Sequence, residues 1–326
     1  MRKDYNSRKR EDWIDPPRNG YRKDYNAGKK TSQHYKGKKG PNKTEQHGND
    51  FKPNTTANIG WLFYRDYYRG LETGNANLSE KNKFITSSEF KSFKTANEKK
   101  ISEALKGFNC VEMEVLPPGL LIGSGISHGI PGAEDFQLGF QFDYTTGLPV
   151  IPGSSVKGVL RSMFPMKGES EKKGYIESLL PKEWNGDIMS LGEILFNHDD
   201  LATSETPVFF DAIVCRGVEK KLQDQNNDQT NQNKDKEKGD ILSRDYITPH
   251  RDPLKSPTPI QFMKVLPGVR FKFYFKLPEK IGVDDNSTLN KSQLEKLFIS
   301  ILEDVGVGAK TNVGYGHLKH IKYKPQ

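Results

Sequence analysis

Lys157 and Arg161 stand four residues apart behind a Pro-Gly-Ser-Ser turn, in the run Leu148-Pro149-Val150-Ile151-Pro152-Gly153-Ser154-Ser155-Val156-Lys157-Gly158-Val159-Leu160-Arg161. On a helix that spacing puts both cations on one face. Pro149 and Pro152 keep the approach extended, and Ser154 or Ser155 can cap the first free backbone N–H groups. Gly158 leaves room for close approach, and the helix start is itself partly positive, so the corner suits a phosphate. A second run, Gly306-Val307-Gly308-Ala309-Lys310-Thr311-Asn312-Val313-Gly314-Tyr315-Gly316, sets four glycines around Lys310. Glycines permit positive φ and let successive N–H groups converge on an anion, with Lys310 adding charge. The plainer reading is that Gly306 and Gly316 only cap a helix and shape a turn.

Elements must hold these residues in place. Val156, Val159, Leu160 and Met163 recur at helical spacing and the pattern stops at Pro165. Asn58 to Tyr64 opens the apolar part of the chain, and a Lys- and Glu-rich helical stretch ends near Leu105, closed by Gly107. Val111, Met113 and Val115 alternate with Glu112 and Glu114, which predicts a half-buried strand. Phe136 to Phe142, Ile188 to Phe196 and Pro207 to Val218 also read as strands, and Thr145-Thr146-Gly147 as a turn. Phe271, Phe273, Phe275 and Leu277 alternate with Lys272, Tyr274 and Lys276, predicting a strand with one apolar and one basic face. Leu294, Leu297, Phe298, Ile301 and Leu302 define an amphipathic helix with Gly306 as C-cap, before a last strand. The sum is an α+β body.

Mean hydropathy is −0.77 and only 33% of the residues are hydrophobic, so part of the 326-residue chain lies outside a core. Residues 1–53 carry 15 Lys+Arg against 7 Asp+Glu, the whole formal excess of +8, and few aliphatic side chains. They read as a disordered basic tail, with residues 54–326 as the folded domain. Tyr5, Trp13, Tyr21, Tyr25 and Tyr35, interleaved with Arg and Lys, suit loose RNA binding by stacking and charge. Glu219 to Asp240 is polar and reads as a mobile insertion. Cys110 and Cys215 match no metal or disulfide spacing, and no apolar run is long enough for a membrane span, so a reducing, cytoplasmic compartment is expected, with no membrane partner.

Several catalytic patterns fail on physical grounds. Gly125-Ile126-Ser127-His128-Gly129 has the G-x-S-x-G spacing, but Gly129, Pro131 and Gly132 forbid the helix that a nucleophile elbow requires. Ala309 breaks the Gly-Lys pair of a P-loop, and Val313-Gly314-Tyr315-Gly316 follows where a helix should start. His198, Asp199 and Asp200, or His317 with His320, read as solvated polar groups, so neither metal nor any other cofactor is expected. His250, between Pro249 and Arg251, either turns a loop toward RNA or hydrogen-bonds in a core. Phe271 to Phe275 lacks the glycines of an aromatic RNA-binding strand and reads as core.

The two motifs together, Pro-Gly-Ser-Ser-x-Lys-Gly-x-x-Arg at a helix start and a late Gly-x-Gly-x-Lys…Gly-x-Gly loop, resemble the RAMP superfamily of CRISPR proteins. Tyr246-Ile247-Thr248-Pro249-His250, Ser256 to Phe262, a strand over Val265 to Phe275, and Phe209-Phe210-Asp211-Ala212 are similar to the sixth RAMP subunit of the type III-B (Cmr) effector complex. The resemblance covers residues 58–320. It implies a ferredoxin-like, RNA-recognition-motif-like fold with insertions. It implies RNA-binding roles for Ser154, Ser155, Lys157, Arg161, Gly306, Gly308, Lys310, Gly314 and Gly316, to which the RNA-facing reading of His250 adds one more candidate. It further implies a structural, non-catalytic cap near the 3′ end of a CRISPR guide RNA, beside the backbone RAMP subunit and the first RAMP subunit, with target RNA met indirectly. The alternative is a backbone-type subunit that cleaves target RNA with a loop carboxylate, for which Glu134 and Asp135 are the candidates, read otherwise as an exposed acidic loop.

Overall fold

The computed structural model describes residues 58–70, 77–87, 101, 103–125, 135–197, 206–219, 239–248, 259–284 and 287–322. The basic tail, most of the polar insertion, His250 and Glu134 lie outside the described residues, as do His198, Asp199 and Asp200. Among the described residues are six α-helices and twelve strands, with two short 3-10 turns at Asp66–Tyr68 and Thr311–Val313. In chain order they are α1 (Ile59–Tyr64), α2 (Leu78–Thr86), β1 (Asn109–Val115), β2 (Val150–Ile151), α3 (Gly153–Met163), α4 (Ser170–Leu179), α5 (Ile188–Phe196), β3 (Val208–Phe209), β4 (Ala212–Arg216), β5 (Val218–Glu219), β6 (Gly239–Asp240), β7 (Leu242–Ile247), β8 (Ile260–Val265), β9 (Arg270–Lys276), β10 (Lys280–Gly282), β11 (Thr288–Asn290), α6 (Lys291–Val305) and β12 (Leu318–His320).

The main sheet has the order β12-β1-β9-β4-β2, with β3 also on β9, and every pair is antiparallel. Taking β1, α3, β4, β9, α6 and β12 in sequence gives βαββαβ with the first strand between the last and the third. That is the ferredoxin-like arrangement. The alternation read from the sequence sets the register. Val111, Met113 and Val115 of β1 are buried, as are Phe271, Phe273 and Phe275 of β9, and Glu112 faces Lys272 across the pair. On the apolar face Phe298 of α6 meets Phe275 and Phe209 at 5.8 and 5.5 Å between ring centroids, and Val156 and Leu160 of α3 join the same core. Asn290 and Gln293 close a capping box at the start of α6, so its apolar stripe enters the core in register.

Several segments differ from the sequence reading. Ile188–Phe196 is a helix, not a strand: Asp187 accepts from the Ser190 N–H at 2.8 Å, and Ile188, Leu191, Leu195 and Phe196 are buried at helical spacing. Residues 136–142 form no strand, only single bridges at Phe136 and Phe142. Tyrosine hydroxyls take the backbone groups that a neighbouring strand would: Phe136 N–H donates to Tyr67 Oη and Phe140 N–H to Tyr64 Oη, both at 3.1 Å, and Tyr64 Oη donates to the Phe140 carbonyl. Residues 207–218 break into β3, β4 and the start of β5. Val265 to Phe275 is two strands joined by a turn at Gly268. Tyr274 is buried, so the polar face of β9 is less open than its alternation suggests.

Candidate nucleic-acid interface

α3 carries the first basic motif. Its apolar stripe is inward, Lys157 is half-buried, and Ser154, Ser155, Gly158 and Arg161 are exposed. Neither serine caps the helix. Pro152 is the N-cap residue, and the Gly153 N–H donates to the carboxylate of Asp211 at 2.7 Å, while Ser155 and Val156 N–H groups turn back to the Pro152 carbonyl. Asp211, which arrives from the strand edge just before β4, thus supplies the capping anion. The serines lie two and three positions past the cap, already inside the first turn. Adding a Cβ at Gly158 would meet nothing within 4 Å, so none of the described residues uses the close approach that this glycine permits.

The glycine-rich loop after α6 is built from conformations that β-carbons forbid. Gly308 (φ +85) lies against the Leu121 carbonyl, where a Cβ would come within 2.1 Å of the oxygen, and Gly316 (φ +77) lies against Val307, where the separation would be 1.9 Å. The expected convergence of successive N–H groups on an anion is largely replaced by internal bonds. Val307 N–H donates to Gly316 O, Ala309 to Leu121 O, Val313 and Tyr315 to Lys310 O, Gly314 to Thr311 O and Gly316 to Gly119 O. The glycines therefore shape the loop, Gly306 caps α6 as expected, and the charge falls to Lys310. Lys310 has φ 61 and ψ 34, the left-handed region, and is the sole non-glycine residue with positive φ among the described residues. Glycine would be the relaxed choice at that position. Among the described residues Lys157, Arg161 and Lys310 form no ion pair.

Tyr315 ties the loop to the β7–β8 hairpin. Its hydroxyl donates to Asp245 Oδ2 at 2.8 Å, and Lys264 Nζ reaches the same oxygen at 2.6 Å. Burial opposes ionisation of Asp245, but the bonds from Lys264, Tyr315 and the Tyr246 N–H outweigh it and hold the carboxyl below its usual range. Burial and the neighbouring carboxylate push Tyr315 up to about 12. Leu121, Phe262 and Tyr315 form a small second core under this corner. None of this network was read from the sequence, because β7 and β8 are twelve residues apart in the chain and Tyr315 had only its place in the glycine run.

The two motifs stand at opposite ends of β1. Asp211 and Gly153 belong to the Asn109 end: Phe209 pairs with Phe275, Phe275 with Asn109, and Phe210 N–H donates to Tyr274 O. The other end of α3 stays there too, since Phe164 meets Phe196 at 5.1 Å and Phe196 meets Phe209 at 6.0 Å. The glycine-rich loop sits at the Val115 end, with Leu318 paired to Val115 and Leu116 N–H on the His317 carbonyl. Six residue steps along β1 separate the ends, about 20 Å. Between them, on the sheet surface away from the helices, Arg270 is held by Glu112 at 3.2 Å and Glu114 at 2.9 Å.

Asp135 is not exposed. It is fully buried, and its charge raises the Tyr67 hydroxyl's affinity for its proton, after burial itself, the larger cause. No group of His, Cys, Asp and Glu able to hold a metal occurs among the described residues, and no helix there is long and apolar enough to cross a membrane. Cys110 and Cys215 are free thiols.

A family model for the RAMP superfamily matches residues 112–319, from within β1 to within β12, which is more than half of the chain and spans nearly all of the βαββαβ body. The chain belongs to the RAMP superfamily. The α3 motif and the glycine-rich loop of this RAMP protein both fall inside the matched residues, as does Asp245. Among solved structures it is similar to a chain in a cryo-EM structure of the type III-B Cmr-beta bound to cognate target RNA, with 24% identity, coverage of 77% of this chain and 74% of that chain, and a TM-score of 0.48. It is also similar to the crystal structure of Cmr6 from Pyrococcus furiosus, with 21% identity, coverage of 66% and 98%, and a TM-score of 0.34. No curated protein sequence matches.

Proposed function

We propose that this RAMP protein is a non-catalytic, guide-RNA-binding subunit of a type III-B (Cmr) CRISPR effector complex, capping the side that holds the 3′ end of the guide. The observation that carries the reading is the placement of Lys157, Arg161 and Lys310. All three lie outside the core of the RAMP body, and none is engaged in an ion pair among the described residues. Charge-assisted contacts from such groups to phosphate contribute on the order of 1.5–3 kcal/mol each where partly desolvated. The choice of the Cmr complex, with the backbone and first RAMP subunits as neighbours and target RNA met indirectly, rests on the sequence segments around Phe209–Ala212, Tyr246–His250 and Ser256–Phe262. Burial of Asp135 beside Tyr67 removes one of the two carboxylates considered for cleavage from solvent, which favours the structural role.

Purification of the complex from its native cells, followed by sequencing of the bound RNA, tests the reading. Repeat-derived guides are expected. A triple variant, Lys157→Ala, Arg161→Ala and Lys310→Ala, should join the complex with an unchanged melting temperature and retain less RNA. RNA unrelated to CRISPR repeats, or undiminished RNA in the triple variant, would overturn it.

A further inference from the structure

Lys310 sits in an unfavourable backbone conformation, and the turn that follows it bonds back to it. Its carbonyl accepts the Tyr315 N–H at 3.2 Å and the Val313 N–H at 3.1 Å, so the short turn closes back on Lys310 itself. The Tyr315 side chain then leaves the loop and is fixed at its far end by Asp245, whose Oδ2 takes both the hydroxyl and the Lys264 ammonium. Lys264 also lies 5.9 Å from the centre of the Tyr315 ring, and Phe262 packs edge-on at 5.9 Å, so the ring is fixed on two sides as well as at its tip. Asp245 is therefore the point at which the β7–β8 hairpin grips the loop, through side chains about two-thirds or more removed from solvent.

We propose that Asp245 is a positioning residue for the glycine-rich loop: acting through Tyr315, it holds Lys310 in the left-handed turn that presents its ammonium to an RNA phosphate. The proposal rests on the reading of the loop as an RNA contact. It couples the hairpin to that contact, so a change at β7 alters RNA affinity although Asp245 itself touches no phosphate. A carboxylate facing RNA directly would repel it. Asp245 escapes that objection because Lys264 and Tyr315 occupy it.

Two variants of the full-length chain separate positioning from ordinary stabilisation. Tyr315→Phe removes the hydroxyl and keeps the ring. Asp245→Asn keeps an acceptor for the hydroxyl and loses the charge that binds Lys264. Each should speed hydrogen exchange of the amides in residues 306–316 and weaken binding of a fluorescently labelled, unstructured single-stranded RNA by roughly five- to tenfold, as couplings through a shared network do. In a Lys310→Ala background the same substitutions should leave RNA affinity where Lys310→Ala alone puts it, because nothing remains to be positioned. Equal losses in both backgrounds, or unaltered exchange in the loop, would overturn the proposal. Faster exchange together with an RNA affinity indifferent to Lys310→Ala would support the positioning and overturn the RNA reading of the loop.

Discussion

At residue scale, Lys310 sets fold against function. A side chain in the left-handed region costs about 1–2 kcal/mol, and glycines stand at the neighbouring positive-φ positions 308, 314 and 316. Were position 310 only conformational, glycine would serve it better. Lys310→Gly should therefore raise the melting temperature, by a gain of about 1 kcal/mol, while lowering RNA affinity roughly tenfold. Differential scanning calorimetry and fluorescence anisotropy read the two effects separately. Lys310→Ala keeps the backbone penalty and should lose affinity without the thermal gain. A gain in stability with undiminished RNA binding would show that the ammonium contacts no phosphate. Asp211 teaches the complementary lesson: the helix N-terminus that the Pro-Gly-Ser-Ser run offered to a phosphate already holds a carboxylate from the edge of another strand, a tertiary contact that no local spacing displays.

At the scale of elements, strong periods were legible and short or borrowed ones were not. β1, β9 and α6 follow their apolar spacing because each buries one face in the main core, where the period is enforced. The helix Ile188–Phe196 looked like a strand because its apolar content is nearly continuous. Its informative signal was polar: Asp187 three residues before Ser190, a cap that precedes a helix. Residues 136–142 failed for the opposite reason, since their backbone N–H groups are scattered over Tyr67, Gln261, Tyr64 and Ile122 rather than given to one neighbouring strand. The start and end of α3 were legible, though its cap was not. Gly158 offers a test on that helix. It is exposed, with open space around it, so Gly158→Ala should stabilise α3 by about 0.8–1 kcal/mol. If RNA lies against this face, the added methyl should also reduce affinity several-fold. The same thermal gain with unchanged affinity would place the RNA elsewhere.

At the scale of the whole molecule, the sequence presented two anion-binding motifs with no indication of their separation, and a single phosphate site between them would have been the simplest construction. The sheet forbids it. β12 returns beside β1 with Leu318 opposite Val115, which carries the glycine-rich loop to one end, while the β3–β4 edge carries the start of α3 to the other. A strand pairing, fixed only once the chain has folded, decides a distance that neither motif encodes. An RNA strand that uses both must run along the molecule for about 20 Å, outside the Glu112–Arg270–Glu114 cluster. Substitutions so far apart act independently. The loss of RNA binding free energy in the triple variant should then equal the loss from Lys157→Ala with Arg161→Ala added to the loss from Lys310→Ala, within about 0.5 kcal/mol. Titrations at several salt concentrations give a second reading, since each single-strand phosphate contact contributes about 0.7 to the log–log slope and the slopes should add as well. As the labelled RNA is shortened below the span between the motifs, sensitivity to one of the two sets should vanish while the other persists. Strong coupling between the sets, or joint loss of both at one RNA length, would mean that the cations converge on one phosphate and that the RNA path crosses the molecule differently.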